Sequence, residues 1–163
     1  MVYAGGARAM QRTTLVLVTL GNELRGDDGA GILFGRLIGN HVSLTVIEGG
    51  DAPENITGLV VRSCPDMVVI VDALDFGGVP GEITVVNGEK LEASGISTHG
   101  SLRLFVDYIG EMTGARVLVL GIQPKNLGLE TEISPEVRAS VESLAETCRE
   151  TGIDYIFSIP ELR

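Results

Sequence analysis

The sequence predicts an α/β fold, a three-layer sandwich in which helices cover both faces of a mostly parallel central sheet of about five strands. Three observations carry this. Short apolar runs alternate with amphipathic segments of helical length. Three of those runs, VLVTL, VVIVD and VLVLG, are apolar on both faces, as strands buried between two helical layers must be. No low-complexity linker or internal repeat divides the 163 residues, a length that suits one domain with a sizeable core.

The elements follow in order. Residues 1–12 belong to a weakly apolar opening (MVYAGGARAMQRTT) that reads as a flexible tail and lacks the apolar h-region of a signal peptide. Strand Thr14–Leu20 leads into the turn LGNELRGDDGAG and then helix Ala30–Gly39. Strand Val42–Glu48 precedes a helix near Pro53–Arg62, whose proline suits a first turn because the N–H it lacks has no partner there. Met67–Val71 is a continuous apolar strand, and Glu82–Val86 (EITVV) alternates like a half-exposed one after the turn GGVPG. A helix is predicted over about Gly100–Met112 and a strand over Arg116–Ile122. Ser134-Pro135-Glu136 then opens a long amphipathic helix to about Glu150, with serine as N-cap and proline at N1.

Composition narrows the function. A formal charge of −10 disfavours a nucleic-acid backbone as partner and suits a basic peptide or a metal cation. No run reaches the ~18–20 apolar residues of a membrane helix, and with no export signal the chain is expected in the cytoplasm. Cys64 and Cys148 lie far apart, without a CxxC pattern, and read as two buried structural thiols.

In parallel sheets ligands bind beyond the carboxyl ends of the strands, and the polar chemistry of this chain gathers there. The first strand leads through Gly21-Asn22 into the acidic turn carrying Asp27 and Asp28, the second ends in Glu48 and Asp51, the third in Asp72 with Asp75 after it, and the fifth in Gln123 and Lys125. His99 opens the helix that departs from the same rim; His41 sits in a helix-to-strand joint and is expected to be exposed. Each also has a plain reading: Asp28 as the N-cap of the helix at Ala30, Asp72 as a turn residue, His99 as a cap. Together, two carboxylates and one imidazole form a set able to hold a divalent cation with open positions, or to perform general acid–base hydrolysis. No GxSxG elbow, Cys–His neighbourhood or HExxH helix competes. The first turn lacks GxxxxGK and GxGxxG, and its two aspartates would repel phosphate. The residues point to a metal-dependent or acid-type hydrolase.

The segments LGNELRGDDGAG, EGGDAPEN, VIVDALDFG with PGEI, STHGSL and LGIQPKNLGL, followed by SPEV, resemble the endopeptidases that mature [NiFe]-hydrogenases, in particular the branch serving formate-hydrogenlyase-type enzymes. The likeness runs from about Leu15 to Leu144. It implies that residues 1–163 form a single maturation-protease domain that removes a C-terminal extension from the hydrogenase large subunit after nickel insertion. The implied nickel-recognising and catalytic residues are Asp28, Asp72 and His99, with Asp27 a close competitor for the first position. The mechanism implied is aspartic-type or assisted by the substrate's metal. Nickel would be recognised in the substrate and bound only weakly by the free protein. The partner would be the large-subunit precursor and its C-terminal extension, with no nucleic acid and no membrane insertion. Two other readings are a nickel-sensing chaperone that does not cut, and a metal-dependent peptidase of other specificity.

Overall fold

The computed structural model describes residues 13–39, 44–94, 96 and 100–162. Its strands are β1 (Leu15–Leu20), β2 (Thr45–Gly50), β3 (Met67–Ala73), β4 (Ile83–Asn87) and β5 (Arg116–Ile122). Its α-helices are α1 (Ala30–Gly39), α2 (Thr57–Arg62), α3 (Gly100–Thr113) and α4 (Pro135–Thr151). The strands form one sheet in the order β2-β1-β3-β5-β4. All neighbours are parallel except β4, which runs antiparallel to β5 at the edge. Residues 74–82 hold no helix to carry the chain back across the sheet, so β4 starts at the end where β3 stopped and must run the other way.

Side-chain alternation divides the core into two layers. Val16, Val18, Val68 and Ile70 pack with Val60, Phe105 and Ile109 under α2 and α3. Leu17, Val69, Val71 and Leu120 pack with Phe34, Ile38, Val137 and Val141 under α1 and α4. The three-layer sandwich is therefore present. No helix among the described residues is long and apolar enough to cross a membrane.

Four details differ from the sequence reading. The helix at Pro53 divides into a 3-10 turn, Pro53–Ile56, followed by α2. β3 continues through Ala73, which puts Asp72 inside the strand. Ser134 does occupy the N-cap position of α4, yet its hydroxyl makes no capping bond, because Asp27 takes it. Cys148 is buried, but Cys64 is exposed: it follows α2 with φ 45°, in a turn that carries its side chain away from the core. The tail at residues 1–12 and His41 lie outside the described residues.

After α4 a 3-10 segment, Ile153–Ser158, returns the chain to the sheet edge. There the Val85 N–H donates to the Pro160 carbonyl at 3.2 Å, and the Leu162 N–H donates to the Val85 carbonyl at 2.8 Å. This strap satisfies part of the backbone that an edge strand leaves open.

Candidate active site

From β1 the chain crosses to β2 on one side and to β3 on the other, so the connections leaving β1 and β3 diverge at the carboxyl edge. Such a reversal of strand order opens a crevice. Here it is a cleft of about 260 Å³ whose polar lining is Asn22, Arg25, Asp28, Asp51, Asp72 and Ser101.

The turn after β1 is shaped by backbone fit. Gly21 has φ +127°, and a Cβ there would lie 1.8 Å from the Asp28 carbonyl oxygen. That contact folds Asn22 back onto Asp28, whose Oδ2 accepts the Asn22 N–H at 2.9 Å. Asn22 Oδ1 accepts the Leu24 N–H at 2.9 Å, and Nδ2 donates to Asp51 Oδ2 at 3.2 Å. Asp28 is thus held by the turn at the cleft wall and does not cap α1. At Gly31 a Cβ would meet the carbonyl oxygens of Val71 at 2.5 Å and Leu20 at 2.6 Å. Only glycine lets the first turn of α1 sit directly over the ends of β1 and β3.

The adjacent aspartates do different work. They belong to a 3-10 turn, Gly26–Gly29, in which successive side chains point about 120° apart. Asp27 points inward and is fully buried. Its Oδ2 accepts the N–H groups of Lys125 and Asn126, both at 2.8 Å, and the Ser134 hydroxyl at 2.9 Å; its Oδ1 accepts the Ser134 N–H at 2.6 Å. Burial opposes its charge, but the backbone donors of Ser134, Asn126 and Lys125, joined by the Ser134 hydroxyl, outweigh that and lower its pKa. Asp27 clasps the first turn to the segment between β5 and α4.

Asp72 is the reverse case. It is half-buried near the end of β3, on the same face as Ile70 and so toward α3. Burial first, and then the negative charge of Asp28, push its pKa up to about 7, against a smaller opposing hydrogen bond from the Ala73 N–H. At neutral pH this carboxyl is divided between its two forms, which suits a group that takes or gives a proton.

Asp51 joins the cleft wall, whereas Glu48, Asp75, Gln123 and Lys125 serve the scaffold around it. Arg36 joins Glu23 at 2.6 Å and Glu48 at 2.9 Å, tying the first turn to β2 through half-exposed ion pairs. Gln123 arranges the loop after β3: Nε2 donates to Asp75 Oδ1 at 3.0 Å, and Oε1 accepts the N–H groups of Phe76 and Gly78, each at 3.0 Å. Lys125 pairs with Glu136 at 2.5 Å. His99 lies outside the described residues; the helix that follows it contributes Ser101 and Leu102 to the cleft. Among the described residues, no three His, Cys, Asp or Glu side chains are grouped so as to hold a metal ion.

Residues 36–150 match the model of the HycI family, hydrogenase maturation proteases. The chain belongs to the hydrogenase maturation protease family. Over 138 residues it is 36% identical to the hydrogenase 3 maturation protease of Escherichia coli K12, a match covering 80% of this chain and 86% of that one. The crystal structure of a [NiFe] hydrogenase maturation protease HycI from Thermococcus kodakarensis superposes with a TM-score of 0.79 at 35% identity, covering 88% of this chain and 94% of that chain. The solution structure of an endopeptidase HycI from Escherichia coli gives 0.79 at 29%, covering 93% and 97%. In this maturation protease the cleft also holds residues that strand-end reasoning did not single out. Asn22 carried a local signal, the Gly-Asn turn dipeptide directly after a strand. Arg25 and Ser101 carried none, because only the fold brings them beside Asp72.

Proposed function

We propose that this protease is the endopeptidase that removes the C-terminal extension of a [NiFe]-hydrogenase large subunit after nickel insertion. In this reading the metal belongs to the substrate, and Asp28, Asp72 and His99 recognise it there. The observation that carries the reading is that Asp28, from the turn after β1, and Asp72, near the end of the adjacent β3, share one cleft closely enough for one charge to bear on the other.

A pair of like charges on a cleft wall favours a cation. Two carboxylates and one imidazole, without thiolates, make a weak site for nickel in the free protein. The substrate's own ligands then complete the coordination, so cleavage depends on a loaded substrate. Peptide hydrolysis also needs a proton acceptor for water and a donor for the leaving amine, and a carboxyl titrating near neutrality serves both. Asp72 is the residue we assign to that exchange.

The test is to incubate nickel-loaded and nickel-free precursor with chelator-treated protein and weigh the products. Shortening of the loaded precursor alone is expected. Equal cleavage of both would overturn recognition of the substrate's nickel, and stable binding of loaded precursor without shortening would leave a chaperone.

A further inference from the structure

Beside the cleft lies a second concavity, a groove of about 750 Å³ between the 3-10 turn at Pro53 and the outer face of α3. Pro53 and Ser101 line both cleft and groove, so the two are continuous. Its apolar wall is Leu104 and Tyr108, one helical turn apart, with Phe105 beneath. Leu104 is 71% exposed and Tyr108 44%, while Phe105 is buried in the core. Three carboxylates rim it: Asp107 is neutralised by Arg103 at 2.7 Å, whereas Glu54 and Glu111 make no ion pair among the described residues. From Ser101 to Glu111 the helix advances about 15 Å, the length of some five extended residues.

From this geometry we infer that the groove docks the first residues of the precursor's C-terminal extension, and that it selects for apolar side chains accompanied by Lys or Arg. The inference rests on the endopeptidase reading above. Once the metal-bearing end of the subunit occupies the acidic cleft, the chain beyond the cut continues onto the surface that begins where the cleft ends. The groove's length along α3 suits a short extended peptide segment. The carboxylates of Glu54 and Glu111 call for cations, and they oppose a second copy of this chain, whose matching face would set them against their own kind. An exposed leucine and tyrosine on one helical face supply the anchoring pockets of such a contact.

The test uses nickel-loaded precursor and, separately, a fluorescein-labelled synthetic peptide of its extension read by anisotropy. Leu104→Glu lies on an exposed position, and its fold is checked by thermal melting. It is expected to raise KM at least about tenfold with kcat within about twofold, and to weaken peptide binding by a similar factor. The double variant Glu54→Lys, Glu111→Lys is expected to weaken the peptide likewise, in step with added salt. A precursor whose extension is trimmed to a single residue, too short to cover Leu104 and Tyr108, is expected to be processed equally by wild type and Leu104→Glu. Unchanged KM and unchanged peptide affinity in Leu104→Glu would overturn the inference. So would a wild-type dimer in sedimentation that Leu104→Glu dissolves while KM stays the same, since a second copy would then own the face. If wild type leaves loaded precursor uncut, the endopeptidase reading fails by itself. The peptide then decides the groove: a tenfold loss in Leu104→Glu upholds it, and equal affinity removes it.

Discussion

Replacing Asp72 by asparagine should make the protease more stable and inactive at once. Asp72 has its folded pKa raised from 3.8 to about 7, chiefly by burial and secondarily by Asp28. A carboxyl whose folded pKa is raised is easier to accommodate protonated. Its favourable contribution is complete below the unfolded pKa near 4 and is lost as pH rises toward 7. Above pH 7 the native state carries the full penalty, about 4 kcal/mol by linkage and nearer 2 kcal/mol once water in the cleft screens it. Asparagine keeps an oxygen to accept the Ala73 N–H but never ionises. Urea unfolding at pH 8 should therefore show Asp72→Asn more stable by about 2–4 kcal/mol, with the gap closing almost entirely by pH 4. Processing of loaded precursor should fall at least about a hundredfold, the usual scale for losing a proton-transfer group. A variant that is less stable at pH 8, or whose advantage does not change with pH, would refute the reasoning about burial and like charge. Unimpaired processing would remove Asp72 from the site.

By the same logic, kcat/KM should rise with pH through a limb near 7, because the free enzyme needs Asp72 ionised, whether to bind the cation or to accept a proton. In Asp28→Asn the carbon-13 titration of the Asp72 carboxyl should move to lower pH without reaching 3.8, since burial is the larger cause; an unmoved midpoint would mean the two charges do not interact. Asp27→Ala strands three backbone N–H groups and a hydroxyl. It should cost about 3–5 kcal/mol in urea unfolding at pH 7. The lowered pKa of Asp27 means that its stabilisation is present above about pH 4 and lost below it. The variant's stability should therefore depend less on pH in that acid range than the wild type's. Gly31→Ala sets a methyl group 2.5 Å from the Val71 carbonyl and lifts α1 from the strand ends. A loss of about 1–3 kcal/mol with impaired processing is expected, and wild-type melting would show that the helix has slack there.

The layers were legible because they depend on local pattern. Runs such as VVIVD can be stable only between two apolar layers, and α1 runs over the very residues its periodicity marked. The rim was legible too, since alternation of strands and helices fixes which ends of the strands share an edge. What could not be read was pairing across long sequence separation. Nothing near Asp27 announces that its acceptors meet donors at Lys125, Asn126 and Ser134, and the capping rule gave the Ser134 hydroxyl to the wrong partner. Gln123 read as rim chemistry because its real task, bonding the N–H groups of Phe76 and Gly78, exists only once β3 and β5 lie side by side. The division of labour between Asp27 and Asp28 turned on one 3-10 turn, a feature too short to leave a periodic signal.

The Asp27 clasp gives the site a birth time. Its most distant donor, Ser134, is 107 residues further along the chain. At translation rates of about 5–20 residues per second, Ser134 is synthesised about 5–20 s after Asp27. Throughout that interval the first turn carries an aspartate destined for burial whose full set of donors does not yet exist. A nascent chain halted before residue 125 has β1, β2, β3 and α3 in hand, yet lacks every donor of the Asp27 clasp. The ribosome therefore releases the protease's competence late and all together, and a truncated product carries the acidic motif without the geometry that makes it a site.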